Sequence, residues 1–179
     1  MASKHIKITE KGIKILNGRL SFPSLFKKAV FQGKEGKYEA TIMFPKTDTE
    51  GYDLVMGAIE TLKKEQKIKV PDSKLFIKDG DDVEYDGCEG MWMVKASNNK
   101  RPTVLNKDKT QLVEEDEVMY AGCYVNAIIE PWGQNNDFGK RVNANLLGVQ
   151  FAKDGEPLGD GGTKVSEDDF DDIEDDDDL

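Results

Sequence analysis

The stretch CYVNAIIEPW, residues 123–132, alternates apolar and polar side chains with a period of two residues. Such alternation is typical of a strand that buries one face in an antiparallel sheet. YEATIMF (38–44) and VNANLLGVQF (142–151) are predicted to be half-buried strands for the same reason. The predicted inward-facing residues are Cys123, Val125, Ala127 and Ile129 in the first stretch, Tyr38, Ala40, Ile42 and Phe44 in the second, and Leu147, Val149 and Phe151 in the third.

One segment, TEGYDLVMGAIETLKKEQ (49–66), has a helical period instead. Its acids come early and its lysines come late, as the helix dipole favours. Strands around a single helix, separated by glycine-rich and charged loops, predict a mainly β protein: an OB-fold-like antiparallel barrel with one amphipathic helix. A β-sandwich is the alternative architecture. The apolar stripe of the helix is predicted to comprise Leu54, Val55, Ala58, Ile59 and Leu62.

The composition fits one such domain. Of the 179 residues, 34% are charged and 37% are apolar, and no apolar run reaches the length of a membrane span. The N-terminal segment lacks the apolar core of a signal peptide, so we expect a cytoplasmic protein. Two cysteines and one histidine are too few for a zinc cluster and argue against histidine-dependent catalysis. We predict no cofactor, no metal and no enzymatic activity.

The net charge of -10 comes entirely from the C-terminal tail. SEDDFDDIEDDDDL (166–179) contains ten acids and no base, so residues 1–165 are neutral in sum, and residues 1–47 have seven more bases than acids. We predict one folded, OB-fold-like domain over 1–158 and a disordered acidic tail over 159–179. A plain solubility tail needs no large apolar residues, and we therefore predict that the tail docks partner proteins through Asp169, Phe170, Asp171, Asp172 and Ile173.

Two loops resemble ligand sites and fail on spacing. GQNNDFGKR (133–141) has five residues between its glycines instead of four and is followed by a predicted strand, so a hairpin is favoured over a phosphate-binding loop. In KDGDDVEYDGCEG (78–90), Glu84 and Gly90 occupy the positions where a calcium loop needs glycine and glutamate. A solvated loop is favoured there.

Basic residues beside aromatic residues form a more diffuse pattern. Lysine and arginine bind phosphates, and aromatic rings stack on bases of any identity, so this combination favours single-stranded nucleic acid. Trp92 alternates with Val94 and Ala96 and is instead predicted to lie in the core. The predicted nucleic-acid-binding residues are Lys27, Lys28, Lys37, Lys95, Lys100, Arg101, Tyr124, Asn126, Trp132, Lys140 and Arg141.

Four stretches also resemble a known family: SFPSLF (21–26), KRPTVLNKD (100–108), AGCYVNAIIEPW (121–132) and GKRVNANLLGVQFAKDGEPLG (139–159). They are similar to the single-stranded DNA-binding proteins encoded by bacteriophages, long catalogued as a phage family of unknown function. The resemblance implies an OB-fold that coats single-stranded DNA during phage replication, recombination and repair in the cytoplasm of the infected host. It also implies that the tail contacts phage or host replication and recombination proteins. We expect no membrane partner, because no apolar run is long enough to span a bilayer.

Two other functions compete with this one. An acidic protein that mimics DNA and inhibits a host enzyme should be acidic throughout its fold, whereas residues 1–165 are neutral in sum. A metal-dependent nuclease could use the acids of residues 79–89, but one flexible loop is a weak basis for carboxylates that must converge on a metal.

Overall fold

The computed structural model of the protein describes residues 3–83, 85, 87–137, 139–158 and 170–171. It contains ten strands and one α-helix within these ranges, together with three short 3₁₀ turns. The strands are β1 (Ile6–Thr9), β2 (Gly12–Ser24), β3 (Val30–Phe31), β4 (Lys34–Glu35), β5 (Tyr38–Pro45), β6 (Ile77–Asp79), β7 (Met91–Asn98), β8 (Thr103–Leu105), β9 (Tyr124–Asn136) and β10 (Gly139–Lys153), and the helix α1 is Thr49–Gln66.

Five of these strands close into a barrel in the order β7-β5-β2-β9-β10. Neighbours along this path are antiparallel, and the barrel closes where β10 pairs in parallel with β7 at Asn145 and Ser97. Strands β1, β6 and β8 extend the sheet from β2, β7 and β10. The closed sheet confirms the predicted OB-fold-like barrel and excludes the sandwich, because a sandwich keeps two separate sheets.

The barrel interior contains the residues that the alternation in β9 predicts. Cys123, Val125, Ala127 and Ile129 are all buried. Strand β5 departs from the prediction of a half-buried strand, because Thr41 and Met43 on its outer face are buried too. Met43 is covered by Cys88 from the 79–90 segment, with the two sulfur atoms 3.5 Å apart.

Strand β10 corrects one predicted core residue. Leu147 is only half-buried, and Leu146 lies in the core instead. A β-bulge between Leu146 and Gly148 shifts the alternation by one residue, so Val149 and Phe151 still face inward as predicted.

Helix α1 has the bounds that the sequence period predicts. Its N-terminus is capped by Asp48, whose side chain accepts a hydrogen bond of 2.9 Å from the Gly51 amide. It packs on β1 and β9 and buries Val55 and Ile59. Leu54 was predicted to lie on the buried stripe but is exposed, since it projects from the edge of that stripe.

Trp92 is half-buried, whereas the sequence places it in the core. It packs against the core from its edge and stacks on Tyr52 at 4.3 Å between ring centroids. The Lys46 amine lies over the Trp92 ring, 5.0 Å from its centroid. The Trp92 ring is therefore occupied by contacts with Tyr52 and Lys46 inside the protein.

The acid-rich segment that resembled a calcium loop is built around a lysine. Lys46 forms ion pairs with Asp79 and Asp81, which lower the pKa of both carboxyl groups and raise the pKa of the lysine. Asp81 also accepts a hydrogen bond of 3.0 Å from the Gly90 amide. Within the described ranges, no three His, Cys, Asp or Glu side chains are arranged to share a metal ion.

Candidate nucleic-acid interface

The outer surface near the barrel closure brings Lys95 and Arg141 into one region. Lys95 is exposed on β7, and Arg141 lies on β10, beyond the short strand β6 that pairs with β7. Lys140 precedes Arg141 and is exposed. The 133–141 loop is the predicted hairpin, because Asn136 of β9 pairs directly with Gly139 of β10.

Trp132 lies on the same hairpin, on the face of β9 opposite to its buried stripe. Its partner across the ladder is Asn143, and the next outward pair is Gln134 with Arg141. The ring is half-buried, and in the described part of the chain it stacks on no aromatic ring and has no cation over it. A ring held by a rigid strand with a face free of other rings is a suitable stacking platform for a base.

A second group of predicted residues meets at one end of β7. Tyr38 pairs with Asn98, so Lys37 and Lys100 lie at the same end of the sheet. The Lys100 amide donates a hydrogen bond of 3.0 Å to the Asn98 side chain. Arg101 lies over the ring of Phe26, 5.5 Å from its centroid. The arrangement concentrates three cations where the 25–37 segment meets β7.

Lys27 and Lys28, in the same segment, are paired with acids. Lys27 lies 3.4 Å from Glu114 and Lys28 lies 3.5 Å from Glu35. Exposed pairs of this kind are weak, so a phosphate can compete for these lysines, although the neighbouring acids reduce the local positive charge.

Tyr124 and Asn126 are far from Trp132. Eight residues of strand separate Tyr124 from Trp132, which corresponds to about 26 Å at the usual rise per residue. The Lys153 amine lies 4.8 Å from the centroid of the Tyr124 ring, and the Arg19 guanidinium carbon lies 5.9 Å from it. Tyr124 also lines a cavity of about 590 Å³. This tyrosine therefore belongs to a separate basic surface.

Asn126 has a role inside the protein. Its side-chain oxygen accepts a hydrogen bond of 3.0 Å from the amide of Asn17, which has a φ of 49° at an irregularity of β2. Its side-chain nitrogen lies 3.4 Å from the Gln150 oxygen. These bonds stabilise the pairing of β2 with β9, so Asn126 has a structural role in addition to its predicted contact with DNA.

The sequence did not identify Lys74, Lys78, Arg19 or Lys153 as members of these surfaces. Lys78 follows the buried Ile77 in β6, which has only three residues and is too short to show a period. Arg19 and Lys153 reach Tyr124 through the pairing of three strands. No local pattern contains that information.

Of the predicted docking residues in the tail, Phe170 and Asp171 are exposed. Asp169, Asp172 and Ile173 lie outside the described residues, as does most of the predicted disordered tail. No helix in the described ranges is long and apolar enough to cross a membrane.

Comparison with known proteins shows which family this sequence matches. The sequence matches, over residues 11–179, the family described as "Enterobacter phage Enc34, ssDNA-binding protein". It is 36% identical over 173 residues to "Putative protein p50" of Acyrthosiphon pisum secondary endosymbiont phage 1, covering 90% of this chain and 93% of that protein.

Solved structures that resemble this chain include two of single-stranded DNA-binding proteins from bacteriophages. The chain resembles the single-stranded DNA-binding protein from bacteriophage Enc34 in complex with ssDNA, with a TM-score of 0.81, 40% identity, and 89% of this chain and 96% of that chain covered. It also resembles gp2.5, a single-stranded DNA binding protein encoded by bacteriophage T7, with a TM-score of 0.52, 12% identity, and 84% and 94% coverage, a likeness of fold alone. Since the family match spans most of the sequence and extends to a close structural relative, this protein belongs to the phage Enc34 single-stranded DNA-binding protein family.

Proposed function

We propose that this protein binds single-stranded DNA without sequence preference and coats it during phage DNA replication, recombination and repair in the cytoplasm of the infected host. The observation that supports this most directly is the outer surface of β7, β9 and β10, where Lys95, Arg141 and Trp132 lie near the barrel closure. Cations there can bind phosphates of any sequence, and the indole can stack on any base. The relative from bacteriophage Enc34 is described in complex with ssDNA.

We expect the protein to bind a fluorescent single-stranded oligonucleotide more tightly than the matched duplex, because a duplex keeps its bases stacked inside and unavailable to an aromatic platform. The affinity should fall steeply as salt rises, since each phosphate contact releases condensed counterions. Fluorescence anisotropy titrations of both substrates at several salt concentrations measure this. Equal affinity for duplex and single strand, or an affinity independent of salt, would contradict the proposal.

The same oligonucleotide, end-labelled and incubated with and without magnesium, tests the nuclease alternative. A binding protein shifts the intact strand, whereas a nuclease shortens it in a magnesium-dependent way. A DNA mimic would bind no oligonucleotide at all.

The acidic tail has two proposed roles: docking replication and recombination proteins, and competing with DNA for the basic surfaces. A polyanion tethered to the same molecule is present at high effective concentration, so it can occupy a basic surface until DNA displaces it. Phe170 supports the docking role because its side chain is 71% exposed.

Removal of residues 166–179 is expected to increase the affinity for single-stranded DNA several-fold at about 50 mM salt, because ten negative charges are deleted. The gain should vanish towards about 1 M salt, where the Debye length is about 3 Å. Anisotropy titrations of the full and truncated chains measure it. A gain that does not depend on salt would exclude electrostatic competition.

The docking role has a separate readout. Capture of replication or recombination proteins from infected-cell extract by the full chain should be lost on truncation and reduced by Phe170→Ala, which leaves all ten tail acids in place. DNA affinity should be nearly unchanged in Phe170→Ala. Equal capture by the full and truncated chains would show that the tail does not dock partners.

A further inference from the structure

Four cations from four separate elements meet beside the barrel closure. They are Lys74 at the end of the 3₁₀ turn Asp72–Lys74, Lys78 on β6, Lys95 on β7 and Arg141 on β10. Backbone pairing places them together. Lys78 pairs with Met93, two residues from Lys95 on the same face of β7, and the Lys95 amide donates a hydrogen bond of 2.9 Å to the Phe76 carbonyl.

The other two cations flank a single bridge between chain segments. Leu75 pairs in parallel with Val142, and both residues are buried. Lys74 and Arg141 immediately precede these two residues, so they lie side by side at the point where the β6 segment fills the space between β7 and β10. Lys74 is exposed, and Arg141 is half-buried.

None of the four cations forms an ion pair within the part of the chain that the structure describes. This distinguishes them from Lys27, Lys28 and Lys46, each of which has an acid within 4.0 Å. Lys78 is half-buried as a residue, and its amine donates a hydrogen bond to the Ser73 carbonyl, a neutral partner. A concentration of like charge without counter-charge is unfavourable in the free protein, and a bound anion relieves it.

The electrostatic state of Lys78 agrees with this geometry. Burial lowers the pKa of its amine below the ordinary lysine value. The positive charges of Arg141, Lys74 and Lys95 lower that pKa further. Both effects act against the charged form, and a phosphate beside the amine would act in its favour.

We propose that Lys74 and Lys78, together with Lys95 and Arg141, form a phosphate-binding site for the DNA backbone, so that the single strand crosses the β10–β6–β7 closure. This inference rests on the proposed DNA-binding function and specifies where the backbone lies. Trp132 is close enough in register to serve the same strand, because its partner Asn143 is two residues from Arg141 on the same face of β10. The cations then bind the phosphates, and the indole stacks on a base, of the same DNA strand.

The test measures the salt dependence of single-stranded DNA binding in Lys78→Gln, Lys74→Gln and the double variant. For single strands, each neutralised phosphate contributes about 0.7 to the slope of log K against log salt. We therefore expect the slope to fall by about 0.7 in each single variant and by roughly 1.4 in the double variant, equally for oligonucleotides of different sequence. Lys78→Arg keeps the charge and should retain the wild-type slope.

Lys7→Gln is the matched control, because Lys7 is an exposed lysine on β1, which pairs with β2 and with no other strand in the described ranges. It changes the net charge by the same amount and should leave the slope near the wild-type value. An equal loss of slope in Lys7→Gln and Lys78→Gln would show a general charge effect and would overturn the proposed site. The same conclusion would follow if neither Lys74→Gln nor Lys78→Gln changed the slope while the wild-type protein bound DNA.

Thermal unfolding followed by circular dichroism separates binding from folding. Because the substitution removes repulsion among like charges, Lys78→Gln should unfold at the wild-type temperature or above it. Weaker binding together with a lower unfolding temperature in both lysine variants would indicate a structural role and contradict the inference.

If the wild-type protein does not bind single-stranded DNA, the proposed function fails. Inorganic phosphate, titrated at constant ionic strength, then reports whether the four cations bind an anion at all. Tighter phosphate binding by the wild-type protein than by the double variant supports the site, and equal binding overturns it.

Discussion

Replacing Phe44 by alanine is expected to lower the free energy of unfolding by about 3 to 5 kcal/mol. Phe44 is completely buried in β5, in the main hydrophobic core beneath the strands that present the candidate interface. Truncation removes an aromatic ring from a closed barrel whose walls cannot collapse freely, so the loss includes both the transfer free energy and the cavity left behind. Urea denaturation followed by circular dichroism measures the change.

Val30→Ala is the control for this prediction. Val30 lies on β3 with 70% of its surface exposed, and its truncation should change the free energy of unfolding by about 0.5 kcal/mol or less. A Phe44→Ala protein as stable as Val30→Ala would mean that the barrel interior does not contain Phe44 as described.

Replacing Trp132 by alanine is expected to weaken single-stranded DNA binding by about 1 to 3 kcal/mol, the usual contribution of one stacked base. Such a change corresponds to roughly a five- to 150-fold higher Kd. Stability should change far less, because Trp132 is only half-buried on the outer face of β9. Anisotropy titration gives the affinity, and denaturation of the same sample gives the stability.

Trp92→Ala provides a matched control with the opposite pattern. The Trp92 ring is already stacked on Tyr52 and covered by Lys46, so its loss should reduce stability and leave DNA affinity nearly unchanged. The protein contains two tryptophans, and a Trp92→Phe background therefore leaves Trp132 as the sole indole. Single-stranded DNA should quench the fluorescence of that indole. Unchanged fluorescence at saturating DNA, together with unchanged affinity in Trp132→Ala, would exclude Trp132 as a platform.

Much of the fold could be predicted from local sequence because burial follows the geometry of each element. The two-residue period of 123–132 assigned Val125 and Ile129 to the interior and Trp132 to the exterior, and the structure agrees. The helical period assigned the helix to 49–66, which are its observed bounds. Errors occurred where geometry changed within an element. Because of the bulge in β10, Leu146 is buried in the core instead of the predicted Leu147. Leu54 is exposed because it lies at the edge of the helical stripe.

The candidate site could be predicted only in part, because a period reports the face of a side chain and not its neighbours. Lys95 and Arg141 were predicted to bind nucleic acid, but their convergence depends on strand order and barrel closure. Lys78 and Lys74 were missed since their segment is short and irregular. The structural role of Asn126 was not predicted, because its hydrogen bond to Asn17 links two strands that are distant in sequence.

The strand-rich class, the faces of β9, the helix and the separation of charge between a neutral body and an acidic tail could therefore be inferred from local sequence. Each of these follows from side chains close together along the chain, where spacing alone fixes the geometry. The cations that meet at the surface depend instead on long-range pairing, because the bridge of Leu75 to Val142 and the pairing of β10 with β7 join segments far apart in sequence. Long-range pairing sets the positions of charges on the surface, and the electrostatic potential that attracts a polyanion depends on those positions.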